Sequence, residues 1–210
     1  SISEKIDVVV LAGDVVEHAN RYFEAASALE NGLTQLDDAG VSVFLVSGNH
    51  DYDVLPSILK AHDFDNVKLL GENGEWEFHK FALNGLDVQF VGWSFPRMHI
   101  KKDPLLDFPG DDIDPNSVCI GLIHGDYENQ ESSYAPLQYS TMTGKGMDVW
   151  VMGHIHKPEI YSQTAPLIFY PGSPQALSPK EKGEHGAVLM TIGGKGDIET
   201  EVIPFSSIRY

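Results

Sequence analysis

The side chains able to hold a metal or move a proton stand directly behind apolar runs. They are Asp14, Asn49, His50, Asp51, His124, His154 and His156. Residues 6–11 run into Ala12-Gly13-Asp14 and residues 41–46 into Ser47-Gly48-Asn49-His50-Asp51. Residues 118–123 run into His124-Gly125-Asp126, and residues 149–152 into Gly153-His154-Ile155-His156. Imidazole nitrogen with carboxylate and amide oxygen is a donor set for manganese, iron, zinc, nickel or a similar divalent ion, not for soft-metal thiolate chemistry. Two such ions sharing a carboxylate such as Asp14 would suit phosphoester hydrolysis, one activating water and the other neutralising phosphate oxygens. A lone Gly-Asp or His-Gly pair is an ordinary turn. Separate apolar strands that each end in a metal-competent group are hard to obtain as satisfied core residues. His18, His62, His79, His99 and His185 lack that setting and read as surface or locally bonded residues.

Positioning such groups requires buried strands. The run Phe44-Leu45-Val46 suits a parallel strand covered on both faces, and open α/β sheets gather ligands beyond the carboxyl ends of their strands. A strand at 6–11, a helix over 21–39 closed by Gly40 and a strand at 41–46 make a right-handed β-α-β unit. That unit puts Asp14 and Asn49 at equivalent strand ends. Further along, the pattern predicts a weak helix at 52–61, a short strand at 67–70 and a hairpin of 76–81 with 86–91 about Asn84-Gly85. Strands follow at 118–123, 149–152 and 167–170, then a terminal hairpin of 187–192 with 198–203. Residues 127–146 read as a loop with a short helix across the rim. Asp103, Asp107, Asp111, Asp112 and Asp114, interleaved with Pro104, Pro109 and Pro115, read as a solvated loop. The whole is expected to be one α/β domain over residues 1–210, with a more antiparallel group of strands beside the first.

Composition narrows the function classes. The 210 residues are 42 % hydrophobic and 10 % aromatic, enough to bury a sizeable core. No run approaches a transmembrane span and the first residues are not a signal peptide, so a soluble, cytoplasmic protein with no membrane partner is expected. The one cysteine, Cys119, excludes an intrachain disulfide or a cysteine metal cage and reads as a buried, inert thiol. Fourteen Lys and Arg against 31 Asp and Glu give a net charge of −17. That argues against a broad basic surface for nucleic acid. It leaves phosphate chemistry open, because bound divalent ions invert the local field of a carboxylate cluster.

Gly13-Asp14, Gly48-Asn49-His50-Asp51, His124-Gly125 and Gly153-His154-Ile155-His156 occur in an order that resembles the calcineurin-like metallophosphoesterases. The resemblance implies a four-layer α/β sandwich of two mixed sheets flanked by helices, with two divalent metals, manganese foremost, at the rim. It further implies that Asp14 bridges them, that Asn49, His124 and His154 complete one site and that His156 serves the other. His50 would act as the acid or transition-state stabiliser, oriented by Asp51. The family's first motif, an aspartate and a histidine one residue apart at the end of an N-terminal strand, does not occur in this sequence. An omitted N-terminal segment is expected, with the first metal site incomplete without it.

Residues 170–178, Tyr-Pro-Gly-Ser-Pro-Gln-Ala-Leu-Ser, followed by Glu184-His185-Gly186, resemble the nuclease subunit of prokaryotic double-strand-break repair exonucleases. Such a resemblance implies DNA as substrate, a coiled-coil ATPase as partner and a homodimer. Three readings follow. The first is a metal-dependent phosphodiesterase of the nuclease type. The second is a phosphodiesterase or phosphatase for a nucleotide or other small phosphoester, and the third a non-catalytic scaffold of the same fold.

Overall fold

A computed structural model describes residues 5–17, 24–176 and 178–205. Three valine- and leucine-rich strands, β1 (Val8–Ala12), β2 (Ser42–Val46) and β3 (Val67–Leu69), pair in parallel in the order β1-β2-β3. Helix α1 (Glu24–Asp38) forms the crossover between β1 and β2. It stops at Gly40, whose φ of +70° lets the Gly40 N–H reach Asp37 O and the Val41 N–H reach Leu36 O, both at 2.9 Å. This paired closure satisfies two carbonyls that the helix end would otherwise orphan. The strand period of two then sorts β2. Val43 and Leu45 pack with Leu33, Leu55 and Ile58 on the helix side, which includes α2 (Val54–Lys60), whereas Phe44 and Val46 face the second sheet.

That second sheet has six strands in the order β10-β11-β9-β6-β5-β4. In chain order they are β4 (Trp76–Leu83), β5 (Leu86–Trp93), β6 (Val118–His124), β9 (Val149–Gly153), β10 (Glu159–Ser162) and β11 (Leu167–Tyr170), with the short strands β7 (Asp126–Tyr127) and β8 (Pro136–Leu137) paired to each other outside the sheet. The inner strands β5, β6, β9 and β11 are parallel, and β4 and β10 close the edges antiparallel. Ile120, Leu122 and Val151 face the first sheet. Cys119, Ile123, Trp150 and Met152 face away, against Phe95, Leu105, Phe108 and Met142. Helices, sheet, sheet and an outer cover containing α3 (Tyr139–Met142) thus form the four layers. Of the two sheets only the larger is mixed; the described strands of the smaller all run parallel.

The acidic proline stretch is not simply a solvated loop. Leu105 is fully buried and Phe108 nearly so, and the Trp76 ring stands edge-on to Phe108 at 4.7 Å. Asp103 is buried with them. Its Oδ1 accepts the Leu105 N–H at 2.8 Å and its Oδ2 the Thr141 hydroxyl at 2.9 Å, which ties the stretch to α3. Burial raises the Asp103 carboxyl above the usual carboxylate range. Asp107, Asp111 and Asp112 stay exposed as expected. Hydrophobic anchors spaced among acids escape a reading that weighs charge and proline alone.

The Asn84-Gly85 turn has φ of 53° and 81°, the geometry that matches the twist of a two-residue hairpin. A terminal hairpin of β12 (Gly186–Gly194) and β13 (Asp197–Pro204) packs Val188, Met190 and Ile192 on the core between the sheets. Lys195 at its tip reaches Asp148 Oδ2 and Ser117 O at 3.0 Å. Cys119 is fully buried, and burial pushes its thiol up. Among the described residues no helix is long and apolar enough to cross a membrane.

Candidate metal centre

Both sheets deliver their strand ends to one rim. Asp14 follows β1, Asn49 follows β2, His124 is the last residue of β6 and His154 follows β9. Parallel pairing sets His124 level with Gly153. Ligand atoms of Asp14, His124 and His154 all lie within 4.8 Å of one another. His124 is fully buried, and its Nε2 lies 3.1 Å from Asp14 Oδ2 and 3.1 Å from Asn49 Oδ1.

The tautomer makes this cluster more than a hydrogen-bonded knot. His124 Nδ1 is 2.9 Å from the Ala12 carbonyl oxygen, which can only accept, so Nδ1 carries the proton. That leaves Nε2 as the ring nitrogen that faces the two oxygens, the one a metal would take. Burial works to raise the Asp14 carboxyl, but the His124 imidazole and the His50 N–H outweigh it and hold it below the usual carboxylate range. Burial, with His124 next to it, depresses His154 to about 4, so that imidazole is neutral near pH 7. Asp14 and Asn49 oxygens with His124 Nε2, and His154 alongside, make a mixed N and O set of the kind that holds manganese, iron or zinc.

The backbone is bent to achieve this. Asp14 has φ of 54° and His154 φ of 110°, left-handed conformations that cost a non-glycine residue about 1–3 kcal/mol each. Gly13, at φ +88°, lies so close to the neighbouring loop that a Cβ would sit 2.7 Å from Gly48 N and 2.7 Å from His124 Nδ1. A Cβ on Gly153 would collide with the Ala12 carbonyl and come within 2.6 Å of His124 Nδ1. These two glycines let the sheets close around His124.

The remaining sequence-derived residues fall in different places. His156 is exposed and outside the cluster, with its Nδ1 3.4 Å from Glu181 Oε1. The His50 N–H donates to Asp14 Oδ1 at 2.8 Å, while its half-exposed ring points at Glu17 Oε1, 3.0 Å from Nδ1. Asp51, implied to orient His50, is fully buried and spent on backbone instead. Oδ1 accepts the Gly48 N–H at 2.7 Å and Oδ2 the Val15 N–H at 2.8 Å, so one carboxylate clamps the loops after β1 and β2 together. Burial and the nearby Asp14 charge raise its pKa to about 6.

Sequence reasoning missed two participants. Glu17 gave no signal beyond lying three residues past Asp14. Tyr134 sits in the polar loop, with its ring 5.3 Å from His154. His185 is the locally bonded case of its reading, buried, with its Nδ1 3.1 Å from Ser173 O and 3.0 Å from Ser173 Oγ. Ser173 in turn donates its N–H to His156 O at 2.9 Å. The pairing of Ser173 with His185 was legible only as part of a family-like stretch. His62 and His79 are locally engaged, on Ile58 O and the Phe44 ring, and His18 lies outside the described residues.

Comparison with known proteins agrees with this geometry. An uncharacterized metallophosphoesterase, YhaO, of Bacillus subtilis (strain 168) is 29 % identical over 204 residues, covering 96 % of this chain and 49 % of that protein. The DNA double-strand break repair protein Mre11 of Methanopyrus kandleri is 29 % identical over 227 residues, covering 94 % of this chain and 48 % of its own. The chain therefore spans about half the length of these curated relatives. A crystal structure of a putative 5'-nucleotidase from Staphylococcus aureus superimposes with a TM-score of 0.54 at 15 % identity, over 98 % of this chain and 46 % of that one, a likeness of fold alone. The model of the calcineurin-like phosphoesterase superfamily domain matches residues 1–195. With that match spanning nearly the whole chain, and Asp14, His124 and His154 gathered at one rim, the chain belongs to the calcineurin-like phosphoesterase superfamily.

Proposed function

We propose that residues 1–210 form the metallophosphoesterase domain of a metal-dependent phosphodiester hydrolase of the nuclease type. The observation that carries the reading is the convergence of ligand atoms from Asp14, Asn49 and His124, with His154 alongside, at the rim. Those four residues would hold a divalent ion, manganese foremost, and His156 would serve a second. Such ions supply Lewis acidity toward phosphate oxygens and activate water near neutral pH.

The chain's own residues supply the rest. His50 is half-exposed at the mouth of the cluster, with its N–H on Asp14 and its ring on Glu17, where a protonated imidazole can give its proton to a departing alkoxide. Glu17 fixes the ring. Asp51 keeps the Asp14 and Asn49 loops in register. Hydrogen bonding of Nδ1 to Ala12 O keeps the Nε2 lone pair of His124 available.

Support for DNA as substrate comes from the relatives named for double-strand break repair and from the family-like stretch at 170–178. On the same grounds we propose a coiled-coil ATPase partner and a homodimeric complete protein. A charge of −17 favours a second reading, hydrolysis of a small phosphodiester or nucleotide, because few counterions are released when so acidic a chain meets duplex. Cleavage of labelled duplex by the full-length protein with its partner and manganese, lost in His50→Ala, would support the nuclease. Untouched DNA beside efficient turnover of a small phosphodiester would replace it with the second reading.

A further inference from the structure

A line of aromatic rings leads from the metal centre to the surface. His124 and His154 have centroids 5.3 Å apart, His154 and Tyr134 5.3 Å, and Tyr134 and His99 5.5 Å with planes only 30° apart. Exposure grows along it: His124 is fully buried, His154 and Tyr134 are half-buried and His99 is exposed. The outer pair is held rigidly. Ile100 and Tyr134 form a parallel bridge, with the Ile100 N–H on Ser133 O and the Ala135 N–H on Ile100 O, both at 2.8 Å. Ile100 and Ala135 are buried beneath it.

A guanidinium stands at the outer end of this line. Arg97 donates from Nε to His99 O at 3.3 Å, and among the described residues no carboxylate is recorded against its guanidinium. Five lysines are paired with acids instead: Lys60 with Glu72, Lys68 with Glu77, Lys80 with Asp114, Lys102 with Asp107 and Lys195 with Asp148. Beyond Arg97 lies a cleft of about 340 Å³ lined by Trp76, Trp93 and Ile100, with Glu75 and the Lys102–Asp107 pair also on its wall. Both indole N–H groups are already bonded, to Pro104 O and Gly74 O, so the tryptophans offer the cleft ring surface rather than donors. An exposed ring beside an uncompensated guanidinium is the combination that takes a base on the ring and the adjoining phosphate on the cation.

We propose that His99, braced by Tyr134, and Arg97 form a subsite for the nucleotide next to the scissile phosphate, so that the substrate is single-stranded or frayed DNA. The subsite rests on the phosphodiesterase reading and narrows it. Tyr134 is a positioning residue, and its ring sets the distance from His154 to His99. A single strand also suits the acidic chain, since stacking compensates for sparse phosphate neutralisation.

The test uses the manganese-loaded chain with two substrates, a thymidine oligonucleotide and glycerophosphoethanolamine, an aliphatic phosphodiester with no base. His99→Ala is expected to lower the ratio of kcat/KM, oligonucleotide over aliphatic diester, about tenfold or more. His99→Phe, which keeps a ring, restores the ratio, and Arg97→Ala lowers it through KM. An unchanged ratio in His99→Ala, or no rescue by phenylalanine, overturns the subsite. Fluorescence anisotropy of labelled oligonucleotide with EDTA present reads binding apart from turnover, and the same loss in His99→Ala is expected. Should the wild type hydrolyse neither substrate, the hydrolase reading falls, and anisotropy decides the subsite. Weaker binding in His99→Ala upholds it, and equal binding overturns it.

Discussion

His124 and Asp14 come from different sheets and meet with Nε2 3.1 Å from Oδ2, while the opposite nitrogen of the same imidazole holds Ala12 O, two residues before Asp14. One side chain therefore reads both the backbone and the carboxylate of the β1 end. Metal retention and the docking of the two sheets should be coupled through it. Manganese at about 100 times its Kd should stabilise the chain by about 2.7 kcal/mol, a rise in Tm of roughly 5–10 °C for a chain this size. In His124→Ala the rise should vanish, as thermal unfolding with manganese and with EDTA will show.

His50 donates backbone, not ring, to Asp14, so its imidazole, held by Glu17, is available for chemistry. His50→Ala should cut phosphodiester turnover by about 10²-fold or more and keep its metal. Elemental analysis beside the rate assay checks both halves. Loss of metal together with rate would make His50 a ligand.

Asp51 has one acceptor for each loop. An amide offers only one oxygen, so Asp51→Asn must leave the Gly48 or Val15 N–H unmatched, at a cost of about 1–3 kcal/mol. Urea unfolding without metal should show that loss. No loss would mean that the clamp does not hold the loops.

Asp103 is raised above its unfolded value by burial. A carboxyl raised on folding binds protons more tightly in the folded state. Its contribution to stability is therefore full below the ordinary aspartate range and lost as pH rises through the folded value. Asp103→Asn keeps an acceptor for the Leu105 N–H and a donor for Thr141 Oγ. It should flatten this part of the pH profile and leave the variant relatively more stable near neutrality. Chemical unfolding across that window gives the sign directly, and a variant that is less stable at neutral pH and just as pH-dependent would contradict it.

His185 carries the loop under His156 through Ser173. His185→Ala should leave the ion at Asp14, Asn49, His124 and His154 in place while loosening any ion that depends on His156. Competition with a graded chelator separates the two.

Much of the rim was legible because strands read by period and end abruptly. Val43 to Val46 alternate as their pattern demands, and Asp14, Asn49, His124 and His154 stand where apolar runs stop. Family-like spacing carried the joint reading of those ends. What escaped was set by contacts distant in sequence. Asp51 adjoins His50 in the chain, yet its oxygens point the other way, to Val15 and Gly48. Glu17 meets His50 across 33 positions, and Tyr134 meets His154 from a loop with no period. Leu105 and Phe108 bury an acidic segment whose charges advertise solvent.

Manganese titration of the 210-residue chain, followed by calorimetry, tests the centre most directly. Because Asp14, Asn49, His124 and His154 converge and His156 stands apart with Glu181, the stoichiometry should be nearer one tight ion than two. The tight ion should persist in His156→Ala and disappear in Asp14→Ala and His124→Ala. Two equivalent tight ions, or one that survives loss of both Asp14 and His124, would contradict a centre built on those residues.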